Sequence, residues 1–327
     1  MEIDPHHIEL IGRLAGAGFA LGLGGVGAAI GMGMAAGSAD EGIMRQPQAQ
    51  SSMLRTMLIG QAVGGSPSIF ALVVGLLILF VPAMDLAHVG GNFIAMLVGA
   101  GLAVGFGCFG SGVGCGFPAA AACEGLARNP SRSSRVTSVM VIGQAVAQSP
   151  AIFATVIALI LLFFYQHPGT DWAMMGICVG AGIAIGAGAL GPGWGSGMTA
   201  GGAMSGIGHW PRSHGVTLRT MLVGQGVCET PAIFGMLVAF IMLFAMQNLQ
   251  NDIVGFAKAV GAGIAVGFGG IGPGIGSGIA GKSGAEATAT RPRLDALVLR
   301  TMLIGQAVSQ STAIYALIIA LVLLYVI

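Results

Sequence analysis

The residue with the clearest capacity for chemistry is Glu229, an acidic side chain midway along an apolar segment that runs from roughly Gly215 to Met246. An ionisable group at that depth in a membrane is costly and indicates ion or proton transport by default. The alternative interpretation is a permanently protonated, hydrogen-bonded structural group. Oxygen-bearing neighbours at helical spacing favour an exchangeable ion site over that alternative.

Those neighbours are supplied partly by a proline. Pro231 has no N–H, so the carbonyl four residues earlier, that of Val227, loses its helical partner. In lipid a carbonyl needs another partner, such as a cation, a water molecule or a protonated acid. The Glu229 carboxylate, the Thr230 hydroxyl and the Val227 carbonyl therefore form an oxygen-rich patch, with Gln225 one turn earlier, of the kind that hard cations prefer. A simple kink is the other interpretation of the proline.

This segment is the third of four copies of one pattern, IGQAVGGSPSIF, IGQAVAQSPAIF, VGQGVCETPAIF and IGQAVSQSTAIY. The shared glutamines are 83, 81 and 81 residues apart, at Gln61, Gln144, Gln225 and Gln306. A proline lies 14 residues before each of them, at Pro47, Pro130, Pro211 and Pro292. Repetition in such strict spacing indicates four copies of one structural unit.

Each unit consists of a Gly-rich apolar helix, a short polar loop with that proline, and a Leu/Ile/Phe-rich apolar helix. With 55% hydrophobic and 8% charged residues, the chain cannot cover a soluble surface, and each apolar segment is long enough to cross a bilayer. We therefore predict an all-α membrane protein of eight transmembrane helices in four tandem hairpins. The predicted hairpins span residues 9–82, 90–165, 171–247 and 252–327.

The residue at the position of the acid differs from copy to copy: it is Gly65, Gln148, Glu229 and Gln310 in the four repeats. One carboxyl group thus serves four hairpins. A neighbouring hairpin should complete its site, and two candidate pairs exist: Val146 with Ser149, or Val308 with Ser311.

The dense glycine of the first helix in every unit carries packing information. Glycine destabilises a helix, but in lipid it lets helix backbones approach closely. We expect an inner circle of Gly-rich helices and an outer circle of larger ones, so that hairpins assemble into a ring. A generic compact bundle is the alternative.

The positive charge predicts the orientation. All of the 13 Lys and Arg residues except Arg13 and Lys258 lie in or near the loops within hairpins, whereas the connections between hairpins carry Asp85, Asp171 and Asp252. Basic loops stay in the cytoplasm, so both termini should lie on the opposite side. A net charge of +1 gives no reason to expect a nucleic acid partner.

The motifs ARNP at residues 127–130, MRQP at residues 44–47, LRTMLIGQAV and LRTMLVGQGVCETPAIF resemble the rotor-ring proteolipid, or c subunit, of F-type ATP synthases, in a fused four-hairpin form. The proteolipids of V-type ATPases are more loosely similar. The resemblance implies that Glu229 binds one H⁺ or Na⁺ and that hairpin loops contact the central stalk. The implied stalk contacts are Arg45, Gln46, Pro47, Arg128, Asn129 and Pro130.

The same resemblance implies a homo-oligomeric ring of about three chains in the inner (plasma) membrane of the cell, with membrane lipid, the stator's a subunit and central-stalk subunits as partners. No cofactor is expected besides the transported ion. Two positions differ from the family's sodium-type pattern: Ser196 replaces a Gln ligand, and Phe234 replaces a Tyr. The Glu229–Thr230 pair favours Na⁺ and these replacements favour H⁺. One acid for four hairpins suits ATP-driven ion pumping better than ATP synthesis.

A channel or an assembly scaffold derived from the same hairpins is the alternative function. The chain alone should not be an enzyme, because its sequence has no P-loop, catalytic triad or metal-binding cluster.

Overall fold

The protein is built from long helices that occur in pairs. The computed structural model describes residues 5–80, 90–167, 169–246 and 249–326, and these contain eight long helices and no strand. In chain order the helices are α1 (Pro5–Arg45), α2 (Gln50–Gly64 and Ser66–Phe80), α3 (Gly91–Arg128), α4 (Ser133–Ala147 and Ser149–Phe164), α5 (Trp172–His209), α6 (His214–Cys228 and Thr230–Phe240, continued by a π-helical segment Ile241–Ala245), α7 (Ile253–Thr290) and α8 (Asp295–Tyr325). The predicted fold class, four hairpins of transmembrane helices, is confirmed.

Each hairpin turns through a short 3₁₀ helix that begins at the repeated proline. These turns are Pro47–Ala49, Pro130–Arg132, Pro211–Ser213 and Pro292–Leu294. Proline suits the first position of a helix, where an N–H would have no partner and the fixed φ angle is already helical. The predicted hairpin ends at residues 82, 247 and 327, and Asp85 in the first connection, lie outside the described residues.

All eight helices are long and apolar enough to cross a membrane, with mean hydropathy of 1.6 to 2.2 in their most apolar windows. The chain is therefore a multi-pass membrane protein. Burial is greatest in the middle of the chain: 72% of the apolar window is buried in α3 and in α5, against 33% in α1 and 22% in α8. The outer hairpins thus leave faces uncovered.

The first helices of the hairpins form one layer, in which α1, α3, α5 and α7 pack side by side in chain order. The second helices, α2, α4, α6 and α8, form another layer against them. Within the described residues, α1 does not pack against α7. The four hairpins therefore form an open array with three internal interfaces and two end faces.

Backbone contact between glycines holds the first layer together. A Cβ atom placed on Gly31, Gly114 or Gly195 would lie 2.0 to 2.1 Å from a carbonyl oxygen of the next helix. These three residues occupy the same position in successive repeats. No side chain fits at such a distance, so the repeated glycines set the spacing of the helices.

Candidate functional site

Glu229 lies at a break in its helix. Helices α2, α4 and α6 are interrupted at Gly65, Gln148 and Glu229, each two residues before a proline. The backbone angles at the three breaks agree closely: φ −78° and ψ −16°, φ −87° and ψ −16°, and φ −79° and ψ −13°, in that order. Helix α8 has Thr312 in place of the proline and is continuous. The proline causes the break, as expected from its missing N–H.

Gln225, one turn before the break, fastens three helices to one another. Its amide nitrogen donates to the carbonyl of Ser196 at 3.2 Å and to the Ser196 hydroxyl at 3.1 Å, both on α5. It also donates to the carbonyl of Gly143 on α4 at 2.8 Å. Among the described residues, hydrogen bonds therefore join Ser196 to Gln225, and none joins it to Glu229.

The same arrangement recurs in the other hairpins. Within each hairpin the glutamine amide donates to a first-helix carbonyl 29 residues earlier, in the pairs Gln61–Met32, Gln144–Cys115 and Gln306–Ser277. Across the interfaces it donates to the preceding hairpin, in the pairs Gln144–Gly60 and Gln306–Gly224. Because repeats with and without the acid share this arrangement, the glutamine nitrogen has a packing role.

The residue at each break reaches back to the preceding hairpin. The amide nitrogen of Gln148 donates to the carbonyl of Val63 at 2.8 Å. Gln310, at the corresponding position of α8, donates to the carbonyl of Val227. Both acceptors are carbonyls that a proline has deprived of their helical partner. A side chain of the following hairpin thus meets the requirement that every carbonyl in lipid be paired.

Glu229 occupies the corresponding position at the middle interface, where the freed carbonyl is that of Val146. The Ser149 hydroxyl donates to this carbonyl at 2.9 Å and lies beside the Glu229 carboxyl group. Atom Oε1 of Glu229 is buried and has no hydrogen-bond partner among the described residues. An ionised carboxyl has no hydrogen to donate, unlike the amides of the other two interfaces. A proton or a cation is needed to join the carboxylate to the Val146 carbonyl, because both groups are acceptors.

The two candidate neighbouring pairs lie in different places. Val146 and Ser149, from the second hairpin, lie at the Glu229 interface. Val308 is 68% exposed on the end face of the fourth hairpin, where Ser311 donates to its carbonyl at 2.8 Å. The packing direction of the hairpins thus favours the first pair.

Thr230 and Val227 lie together, but toward the fourth hairpin. The Thr230 hydroxyl donates to the Val227 carbonyl at 3.0 Å, and Gln310 donates to the same oxygen. Two donors occupy both lone pairs of that oxygen. Sequence reasoning missed the hydrogen bonds that Gln148 and Gln310 make across the interfaces. The signal that could have indicated them is that both residues align with Glu229 in the repeat.

Comparison with known proteins identifies the family. The model of the family described as the C subunit of ATP synthase matches four times, at residues 15–78, 98–161, 179–242 and 260–323. The chain belongs to the ATP synthase C-subunit family. As a family member it is a membrane component of an ATP synthase-type complex, and the predicted resemblance is confirmed.

Individual relatives show both a fused and a short form of this proteolipid. The chain is similar to the K subunit of the A-type ATP synthase of Methanocaldococcus jannaschii, with 32% identity over 70% of this chain and 96% of that protein. It is also similar to the ATP synthase c subunit of Alkaliphilus oremlandii, with 51% identity over 23% of this chain and 84% of that protein. For the ATP synthase c subunit of Natranaerobius thermophilus, identity is 47% over 24% of this chain and 90% of that protein.

The loops of this C-subunit family member differ in how firmly they are held. Asn129 donates to the carbonyl of Gly208 at 2.6 Å, so the second loop is fastened to the third hairpin. A guanidinium nitrogen of Arg128 lies 3.4 Å from His209 Nδ1, but that nitrogen donates to the Ser205 carbonyl at 2.8 Å and accepts no bond from Arg128. Arg45 pairs with Glu41 at 3.2 Å, and both side chains are exposed. An exposed pair of this kind contributes little to stability. The Arg45 side chain is therefore exposed and only weakly held.

Proposed function

We propose that this chain is an ion-carrying subunit of a rotor ring in a rotary ATP synthase or ATPase, and that Glu229 carries one H⁺ or Na⁺ for every four hairpins past the stator. The observation that supports this most directly is the buried, unpartnered Oε1 of Glu229 at an interface. The corresponding positions of the flanking interfaces hold amides that donate to Val63 and Val227. Glu229 needs an added proton or cation to make the equivalent contact.

The loaded state follows from this geometry. A protonated Glu229 would donate to the Val146 carbonyl, as Gln148 donates to the Val63 carbonyl. A bound Na⁺ would instead be held by the Glu229 carboxylate, the Ser149 hydroxyl oxygen and the Val146 carbonyl, which are oxygen ligands that a hard cation accepts. Loading neutralises the carboxylate, which lowers the cost of exposing this surface to lipid.

The other hairpins take no ion in this proposal. Gln148 and Gln310 are uncharged at every pH and hold their carbonyl acceptors permanently. A ring of about three chains would therefore move about three ions per turn, which suits ATP-driven pumping. The loops within hairpins would face the cytoplasm, where Arg45, Gln46 and Pro47 would contact the central stalk, and both termini would lie on the other side.

The test is labelling of Glu229 in the purified ring by a hydrophobic carbodiimide, which modifies a protonated carboxyl group. We expect one labelled residue per chain, with labelling that decreases as pH rises and the carboxyl ionises. Protection by Na⁺ at constant ionic strength would identify Na⁺ as the ion. Labelling that Na⁺ does not alter would identify H⁺. A chain that resists labelling even at acidic pH would contradict an exchangeable Glu229.

A second carboxyl should be tolerated at a silent interface. In Gln148→Glu the new side chain would face the Val63 carbonyl with Ser66 beside it, by analogy with Glu229, Val146 and Ser149. We expect labelling to rise from one to two carboxyls per chain, counted by mass spectrometry of the intact protein. Gln148→Leu is the control, since it should add no label. An unchanged single label in Gln148→Glu would show that the backbone position alone does not create a site.

A further inference from the structure

The end face of the first hairpin carries one half of an interface. In the interface between the first and second hairpins, Gly101, Gly112 and Gly116 of α3 lie close to α1. Cβ atoms added to them would be 2.2 to 2.6 Å from the α1 backbone. The corresponding positions of α1 are 83 residues earlier, at Gly18, Ala29 and Gly33. Added Cβ atoms on Gly18 and Gly33 would meet no atom within 4 Å. This face keeps two of the three glycines, with Ala29 in place of the third, and no helix among the described residues packs against Gly18 or Gly33.

The end face of the fourth hairpin carries the other half. An added Cβ on Gly191 of α5 would lie 2.3 Å from the Ile271 carbonyl oxygen of α7. The corresponding residue of α7, Gly272, meets nothing within 4 Å. The two faces thus supply both halves of an interface in which the fourth hairpin of one copy packs on the first hairpin of a second copy. Ala29 is the position where the helix spacing must differ from that of the internal interfaces.

The contact between copies differs from the three internal interfaces in the side chains at the helix breaks. Three carbonyls are freed by prolines. Gln148 donates to that of Val63 and Gln310 to that of Val227, while Glu229 and the Val146 carbonyl have the Ser149 hydroxyl as their shared neighbour. One position of each kind is left over. The remaining carbonyl is that of Val308, and the remaining side-chain position is Gly65.

Neither Gly65 nor Val308 is suited to the hydrogen bond that joins a side chain at one break to a freed carbonyl of the preceding hairpin. Gly65 has no side chain that could donate. Thr312 replaces the proline four residues after Val308, so α8 is continuous and the Val308 carbonyl keeps its helical N–H partner. The Val308 carbonyl therefore has two donors in its own helix, the backbone N–H and the Ser311 hydroxyl, and needs none from the next chain.

We propose that the contact between copies, hairpin four of one chain against hairpin one of the next, is a distinct interface that closes without a side-chain hydrogen bond at the break and without an ion site. Gly65 and Thr312 are its paired determinants. The inference rests on the ring of the proposed function but not on ion carriage by Glu229.

The test uses a double-mutant cycle in the full chain carrying Ser311→Ala, which removes the hydroxyl that also donates to the Val308 carbonyl. Thr312→Pro would free the Val308 carbonyl at the contact between copies, where Gly65 offers no donor. We expect the intact ring, measured by native mass spectrometry at fixed protein concentration, to decrease by about tenfold or more, as loss of one hydrogen bond to a buried group predicts. Gly65→Gln in the same chain should restore it, because the backbone at Gly65 matches that at Gln148.

A Cβ on Gly65 would lie 3.2 Å from the Gln61 carbonyl oxygen and 3.6 Å or more from every other neighbour, so the introduced side chain requires a shift of a few tenths of an ångström at one contact. Gly65→Ala combined with Thr312→Pro is the matched control and should stay dissociated, because it adds a side chain but no donor. Helix content by circular dichroism should be unchanged in all variants, which separates loss of assembly from misfolding.

Three outcomes would overturn the proposal: an intact ring in Thr312→Pro, rescue by Gly65→Ala equal to that by Gly65→Gln, or no rescue by Gly65→Gln in a chain that retains its helix content. A wild-type chain that forms no ring would contradict the proposed function instead, and carbodiimide labelling of Glu229 would remain as its separate test.

Discussion

Glu229→Gln is expected to abolish ion transport completely while leaving the ring assembled. The new amide would donate to the Val146 carbonyl, as Gln148 donates to the Val63 carbonyl in the preceding interface. Transport stops because an amide neither releases a proton nor binds Na⁺ as a charged ligand. ATP-driven ion uptake into proteoliposomes containing the whole complex should decrease to the background of liposomes without protein.

The same variant should be no less stable than the wild-type ring. It replaces a carboxyl oxygen that is buried without a partner by a group that has a partner, and an unsatisfied buried polar group costs about 1–3 kcal/mol. The dissociation temperature of the ring in detergent measures this effect. Glu229→Asp is the matched control: it keeps an acid on a shorter side chain and should retain partial transport. Undiminished transport by Glu229→Gln would mean that another group carries the ion, as a channel or scaffold origin of the chain would predict.

Much of the fold could be predicted from the sequence because the repeat is strict. Four glutamines at nearly constant spacing, each preceded by a proline, indicate where every hairpin turns, and the structure begins its 3₁₀ turns at those prolines. Breaks near Pro67, Pro150 and Pro231 also follow from local chemistry, since each proline lacks an N–H. Local rules of this kind need no knowledge of which helices pack together.

The partner of Glu229 could not be predicted in this way. Val146 with Ser149 and Val308 with Ser311 are equivalent in the repeat, so the choice depends on the direction in which successive hairpins pack. The structure provides that direction through Gln148 and Gln310, both of which reach back to the preceding hairpin.

Gln225 illustrates a second limit of sequence reasoning. Its spacing from Glu229 predicts an ion ligand. Its nitrogen donates to Ser196 and Gly143, while its oxygen Oε1, the atom that would bind a cation, is buried without a hydrogen-bond partner among the described residues, so the ligand role stays a prediction. A helical spacing places two residues on one face of a helix, but it does not say which neighbour each side chain contacts.

Gly195→Ala is expected to destabilise the native array strongly. The added Cβ would lie 2.0 Å from the carbonyl oxygen of Gly274, a backbone atom that cannot rotate away. Overpacking of this kind costs about 1–3 kcal/mol and occasionally more, and contact with backbone belongs at the upper end. The unfolding temperature in detergent should decrease strongly, and little protein should accumulate in the membrane.

Gly226→Ala is the matched control for this prediction, because an added Cβ there would meet no atom within 4 Å and the other three repeats have alanine at the position, Ala62, Ala145 and Ala307. It should be neutral or stabilising, since alanine favours a helix over glycine by about 1 kcal/mol. The two substitutions add the same methyl group to the same third hairpin, so opposite shifts in unfolding temperature would assign the effect to contact between the α5 and α7 backbones. Equal shifts would show instead that the glycines act through helix propensity, and the spacing of the first layer would then need another cause.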